Sequence, residues 1–117
     1  MHELSIIMNV LSIVEENAKN LDAKIVHEIE MDIGKLSGID FEALEFAMKH
    51  TQKKELLKNV KLIINKIPAK ARFKSCNYEF NLEDFYTACP MCGKFNHDIF
   101  QGKELKVKAI KIDWKLM

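Results

Sequence analysis

The chain shows two hydrophobic periods, and each stretch takes the element its period allows. From Leu4 to about Asn20 the polar residues Ser5, Asn9, Ser12, Glu16 and Lys19 recur at helical spacing, while Leu4, Ile7, Met8, Leu11, Val14 and Ala18 fill the other side. This pattern predicts an amphipathic helix with a wide buried face. Between Lys24 and Ile33 the period drops to two: Ile25, His27, Ile29, Met31 and Ile33 share one face, and Val26, Glu28, Glu30 and Asp32 the other. That alternation predicts a half-buried strand, with His27 as a satisfied core histidine rather than a metal ligand. Gly34 and Gly38 bracket a turn. Asp40 then serves as N-cap for a second helix in which Phe41, Leu44, Ala47, Met48 and Thr51 line one side and which ends before Asn59. Val60, Leu62 and Ile64 alternate with Lys61, Ile63 and Asn65 in a further strand running toward Pro68.

Beyond Pro68 the pattern changes. Residues 69–100 hold all the cysteines, several aromatics and no sustained helical period, which reads as a loop-rich inserted module. After Gly102, Leu105 and Val107 alternate with Lys106 and Lys108; the phase then slips so that Ile110, Ile112 and Trp114 alternate with Lys111 and Asp113. A bulge near Ala109 explains the slip. This strand is long enough to return to the main sheet, so the expected domains are a discontinuous one, 1–68 plus 101–117, and the excursion 69–100. The expected fold is α+β: two helices on one face of a small mixed sheet, with a rubredoxin-like or zinc-ribbon-like knuckle inserted before the last strand.

Composition narrows the function. The 117 residues make one compact unit or a small domain with a smaller module. Lys plus Arg total 18 against 17 for Asp plus Glu, a net charge of +1 that offers no field for attracting nucleic acid or an anionic membrane. The N-terminus lacks the basic region and cleavage site of a signal peptide, and no apolar run is long enough for a membrane span, so a cytoplasmic protein is expected. No Ser/His/Asp set, phosphate loop or paired carboxylates suggests an enzyme.

Three cysteines cannot all close a disulfide framework, and clustered thiols in one short stretch suggest metal or redox chemistry in a reducing compartment. Cys89-Pro90-Met91-Cys92-Gly93 has the spacing of half a zinc ribbon: two intervening residues let both sulfurs face one ion, and glycine permits the tight turn that follows. Upstream, Phe73-Lys74-Ser75-Cys76-Asn77 has the shape of the other half, with Phe73 where its first cysteine is expected. A phenyl ring cannot ligate zinc. A site on Cys76, Cys89 and Cys92 therefore takes its fourth ligand from water, from His97 or from another chain. Metal-free alternatives are a buried Cys76, a thiol-exchange pair at Cys89 and Cys92, and His97 as a surface residue.

The first three residues, Met1-His2-Glu3, carry a second chance for chelation. A free terminal amine, the deprotonated amide nitrogen of His2 and its Nδ1 close two fused chelate rings and lie in a plane. Such a donor set suits square-planar Ni(II) or Cu(II) rather than tetrahedral zinc. The remaining position lies opposite the His2 amide nitrogen, where Glu3, Asp40 or a distant histidine could bind. A histidine at position two is otherwise an ordinary solvated residue.

Met1-His2-Glu3-Leu4-Ser5-Ile6 opening a helix, the turn Gly34-Lys35-Leu36-Ser37-Gly38-Ile39-Asp40, and a late cysteine knuckle followed by Gly102-Lys103-Glu104-Leu105 together resemble the HypA/HybF family of hydrogenase nickel-incorporation proteins. The resemblance spans essentially the whole chain. It implies a nickel metallochaperone that works with a maturation GTPase to supply Ni(II) to the hydrogenase large subunit and, in some bacteria, to urease with its accessory protein. By position it makes His2 the main nickel ligand, assisted by backbone nitrogens of Met1 and Glu3, with Asp40 nearby. It places the family's four structural zinc cysteines on Phe73, Cys76, Cys89 and Cys92, of which three remain. A monomer and a homodimer both fit.

Two other classes compete. A zinc-ribbon module that binds nucleic acid or protein without nickel needs a basic, aromatic-rich face. A thiol oxidoreductase on Cys89 and Cys92 needs disulfide exchange that survives chelation.

Overall fold

The computed structural model describes residues 3–74, 76–82, 88, 91, 93 and 97–114. The first helix, α1, runs Glu3–Asn20 and buries Ile6, Ile7, Val10, Leu11, Val14 and Ala18. Leu4 and Met8, expected in that face, are more than half exposed instead, because the buried stripe is centred on Ile7, Val10 and Val14 and leaves them on its flank. After α1, Asp22 turns through a left-handed conformation (φ 57°), and the Ala23 N–H reaches back to the Ala18 carbonyl at 2.9 Å.

Strand β1, Ile25–Gly34, is the centre of the main sheet. Helix α2, Phe41–His50, crosses from it to β2, Lys61–Ile67, which lies parallel to β1. A parallel neighbour requires such a crossover. Helix α2 stops at His50, well before Asn59. Thr51 takes an extended conformation with its N–H on the Ala47 carbonyl, and a separate 3-10 turn follows at Glu55–Leu57.

Three short strands come next: β3 at Lys70–Phe73, β4 at Glu79–Asn81 and β5 at His97–Gln101. They pair antiparallel in the order β4-β3-β5, so a second small sheet stands where a loop-rich stretch was expected. The last strand, β6 at Leu105–Asp113, returns antiparallel to β1 and completes a mixed sheet of order β2-β1-β6.

The β1/β6 register shifts twice. Opposite Glu30–Met31, β6 carries one extra residue at Lys108, beside the bulge expected at Ala109. Between Val26 and Glu28 the extra residue is His27, on β1 itself. That second bulge reverses the facing of the strand's first turn: Val26 is buried and His27 is not. The expectation of a core histidine is thereby corrected. The His27 side chain is 34% exposed, with Nε2 3.7 Å from the Asp113 carboxylate.

One core lies between the helices and the main sheet, where Ile7, Val14, Ile29, Ile33 and Leu44 are fully or almost fully buried. The opposite face of β1 presents carboxylates that side chains of the neighbouring strands engage. Lys111 reaches Glu28 at 2.9 Å, and Asn65 Nδ2 donates to Glu30 at 2.7 Å and to Asp32 at 2.9 Å.

The two sheets meet where β1 ends. Gly34 N–H donates to Glu104 O, Lys35 N–H to Ile67 O and Leu36 N–H to Gly102 O, at 2.8, 2.9 and 2.7 Å. The approach is so close that a Cβ on Gly34 would stand 1.9 Å from the Gly102 carbonyl oxygen. Leu36 then packs against Ala69, Ala71 and Leu82, the small core of the second sheet.

Candidate metal centre

The start of α1 lies against the start of α2. The backbone N–H of Asp40 donates to Glu3 Oε2 at 3.3 Å, and Asp40 Oδ1 accepts from the Ala43 N–H at 3.1 Å. Asp40 is the N-cap expected from sequence, with an extended backbone that lets its side chain turn onto the first helical amides. Two carboxylates are thus held at one helix N-terminus, where the aligned peptide dipoles favour negative charge. Of the residues assigned to nickel from sequence, Glu3 and Asp40 are brought together. Met1 and His2 lie outside the described residues.

An open groove of about 510 Å³ continues from Glu3 along α2, lined by Leu4, Ala43, Phe46, Ala47, His50 and Thr51. His50 packs its ring on Phe46, with centroids 4.2 Å apart. At a rise of about 1.5 Å per residue, His50 stands on the order of 15 Å along the helix from Asp40. That separation is far beyond the reach of one coordination sphere, so His50 and Asp40 cannot serve the same ion.

The cysteine region shows a different arrangement. The Asn77 N–H donates to the Phe73 carbonyl at 2.8 Å and the Phe73 N–H to the Tyr78 carbonyl at 3.0 Å, closing a tight turn on which Cys76 is exposed. Asn77 adopts φ 58°, and Gly93, directly after Cys92, adopts φ 71°. Asparagine is among the few residues with a side chain that accept this left-handed region. It therefore stands after Cys76 as glycine stands after Cys92, a correspondence the sequence reading missed.

Phe73 is an interior residue. It is fully buried, its ring stacked on Phe80 at 4.4 Å with planes 10° apart. His97, paired with Phe73 across β3 and β5, sets its ring edge-on to both phenyls at 5.9 Å. Cys89 and Cys92 lie outside the described residues. Among the described residues no three His, Cys, Asp or Glu side chains gather as a metal site. With Phe73 in the first position, the donor set does not match a four-thiolate zinc site.

The fold, two helices over a mixed sheet with a second small sheet inserted before the last strand, is that of a known metallochaperone. The solution structure of the Ni metallochaperone HypA from Helicobacter pylori superposes with a TM-score of 0.67 over 98% of this chain and 100% of that one, at 24% identity. The chain belongs to the HypA family: the family model described as hydrogenase/urease nickel incorporation, metallochaperone, matches residues 1–112. Similar proteins include the hydrogenase maturation factor HypA of Parabacteroides distasonis, 38% identical over 96% of this chain and 97% of that protein. That of Francisella philomiragia is 40% identical over 94% of this chain and 97% of its own length. Among the described residues no helix is long and apolar enough to cross a membrane.

Proposed function

We propose that this chain carries one Ni(II) ion as cargo at its amino end, bound by nitrogen donors of Met1, His2 and Glu3, and delivers it during maturation of nickel-iron hydrogenase, with urease as a further client. The observation that carries this reading is the hydrogen bond from the Asp40 N–H to Glu3 Oε2 at 3.3 Å. It anchors the third residue of the chain at the start of α2, beside Asp40. The family's nickel-incorporation description supports nickel as the cargo.

The donor chemistry suits a carrier. Amine, amide and imidazole must lack or lose protons to bind, so affinity falls as pH falls and release can be triggered. A planar nitrogen set selects Ni(II) or Cu(II) over zinc and magnesium. A site at a chain end can be presented directly to a recipient. Its partners in this scheme are the maturation GTPase, the hydrogenase large subunit and, where urease is served, a urease accessory protein, all in the cytoplasm. The chain divides for this task into a nickel-carrying domain, 1–68 with 101–117, and the cysteine module 69–100.

Calorimetry on the untagged protein tests the proposal. Wild type takes up one Ni(II) per chain; His2→Ala, or a tag added before Met1, abolishes that uptake. Unchanged stoichiometric binding in either would overturn it.

A further inference from the structure

We propose that the β3–β4–β5 sheet of this chain is organised by the rings of Phe73, Phe80 and His97 and keeps its structure without a bound metal ion. The zinc implied by the family resemblance would act as a cross-link between two cysteine turns. Here each of the three strands contributes one ring to a single cluster: Phe73 from β3, Phe80 from β4 and His97 from β5. The cluster joins the three strands directly.

Phe73 stands where the resemblance places the first thiolate, and it is completely buried with its ring stacked on Phe80. Stacked and edge-on ring pairs at these separations are the favoured aromatic geometries. The sheet has further support of its own. Ala69, Ala71 and Leu82 are buried together, with Ile99, Phe80 and Leu36 packed around them. The turn carrying Cys76 is closed by two backbone hydrogen bonds and the left-handed Asn77. None of these contacts involves a thiolate.

His97 acquires a role that its sequence position did not reveal. Its ring lies edge-on to both phenyls, so it packs in the cluster that the phenyl at position 73 created. On this proposal the ring cluster holds the sheet without a metal–thiolate link. This inference is independent of where nickel binds.

Amide hydrogen exchange on the full-length, untagged chain tests it, with bound zinc counted before and after treatment with a strong chelator. The reporters are the N–H groups of Phe73, bonded to Tyr78 O, and Leu82, bonded to Ala69 O, at 3.0 and 2.9 Å. The expected result is that protection of both is unchanged, within about twofold, after chelation. Phe80→Ala should lower that protection by about tenfold or more with or without zinc, as expected for removal of a half-buried ring from the cluster. His97→Phe, which keeps an aromatic ring but cannot ligate, should retain it. Collapse of protection on zinc removal in wild type would overturn the proposal. Because the wild-type chelation arm requires no mutant to fold, a failed variant does not decide the outcome.

Discussion

The side chain of Glu3, the first described residue of α1, is the hydrogen-bond acceptor for the backbone N–H of Asp40, 37 positions later and at the N-cap of α2. One interaction therefore ties the amino end of the chain to a helix start that sequence alone marks as a separate feature. It also separates two contributions of Glu3, its charge and its hydrogen bond. Glu3→Gln keeps an acceptor for the Asp40 N–H, whereas Glu3→Ala removes it. If the anchored terminus carries nickel, Glu3→Ala should weaken Ni(II) binding by about tenfold, the equivalent of one charge-assisted hydrogen bond, and Glu3→Gln by less. Equal affinities for all three proteins in calorimetry would remove the anchor from the account.

Asp40 has a structural task apart from any metal. Asp40→Ala loses the cap to Ala43 and should cost about 1 kcal/mol, lowering Tm by about 4 °C. Asp40→Asn retains a capping oxygen and should melt close to wild type. A fall in nickel affinity for Asp40→Asn at unchanged Tm would isolate the carboxylate's part in binding.

Gly34 is a steric requirement. An added Cβ would meet the Gly102 carbonyl oxygen at 1.9 Å and its carbonyl carbon at 2.0 Å, both backbone atoms with no side chain to yield. Gly34→Ala should therefore destabilise by about 3 kcal/mol or more, since the strands must separate at the junction of the two sheets. Denaturant unfolding measures this. Gly38→Ala makes a useful contrast, because its strain comes only from a φ of 80°, with nothing within 4 Å of the added methyl.

Acid should weaken the fold through identifiable pairs. Hydrogen bonds from Lys19, at 2.8 Å, and from Lys54, at 3.1 Å, hold the Glu15 carboxyl below its ordinary value of 4.5. Lys111 does the same for Glu28. A carboxyl whose folded pKa is depressed contributes stability above the unfolded value and loses it as pH falls through the folded one. Unfolding free energy should thus decline as pH drops below about 4.5. Glu15→Gln should make that decline shallower while leaving the neutral-pH fold intact by circular dichroism. An identical acid limb for the variant would show the Lys19 and Lys54 contacts to be energetically silent.

Much of the main sheet and its helices was legible because their signals are local. The period of α1, the N-cap at Asp40 and the phase slip near Ala109 each reside in a few adjacent residues, and all three appear in the structure. The alternation of β1 misled where a bulge intervened. Nothing in the sequence distinguishes an extra residue at His27 from a regular strand position, because the bulge is defined by pairing with Lys111 and Ile112 far along the chain. The exposure of Leu4 and Met8 was hidden similarly, since a helix with apolar residues on several sides does not say which of them its neighbours will cover.

The same division runs through the metal residues. By itself the sequence determined the kind of protein, because the N-terminal donors, the cysteine spacing and the glycine turns are short patterns whose chemistry depends on residues adjacent in the chain. It also determined that Phe73 stands where a thiolate is expected. Only the tertiary structure decided what Phe73 does there, and that Glu3 meets Asp40. Both are contacts between distant segments, selected by how strands and helices pack once the core is buried.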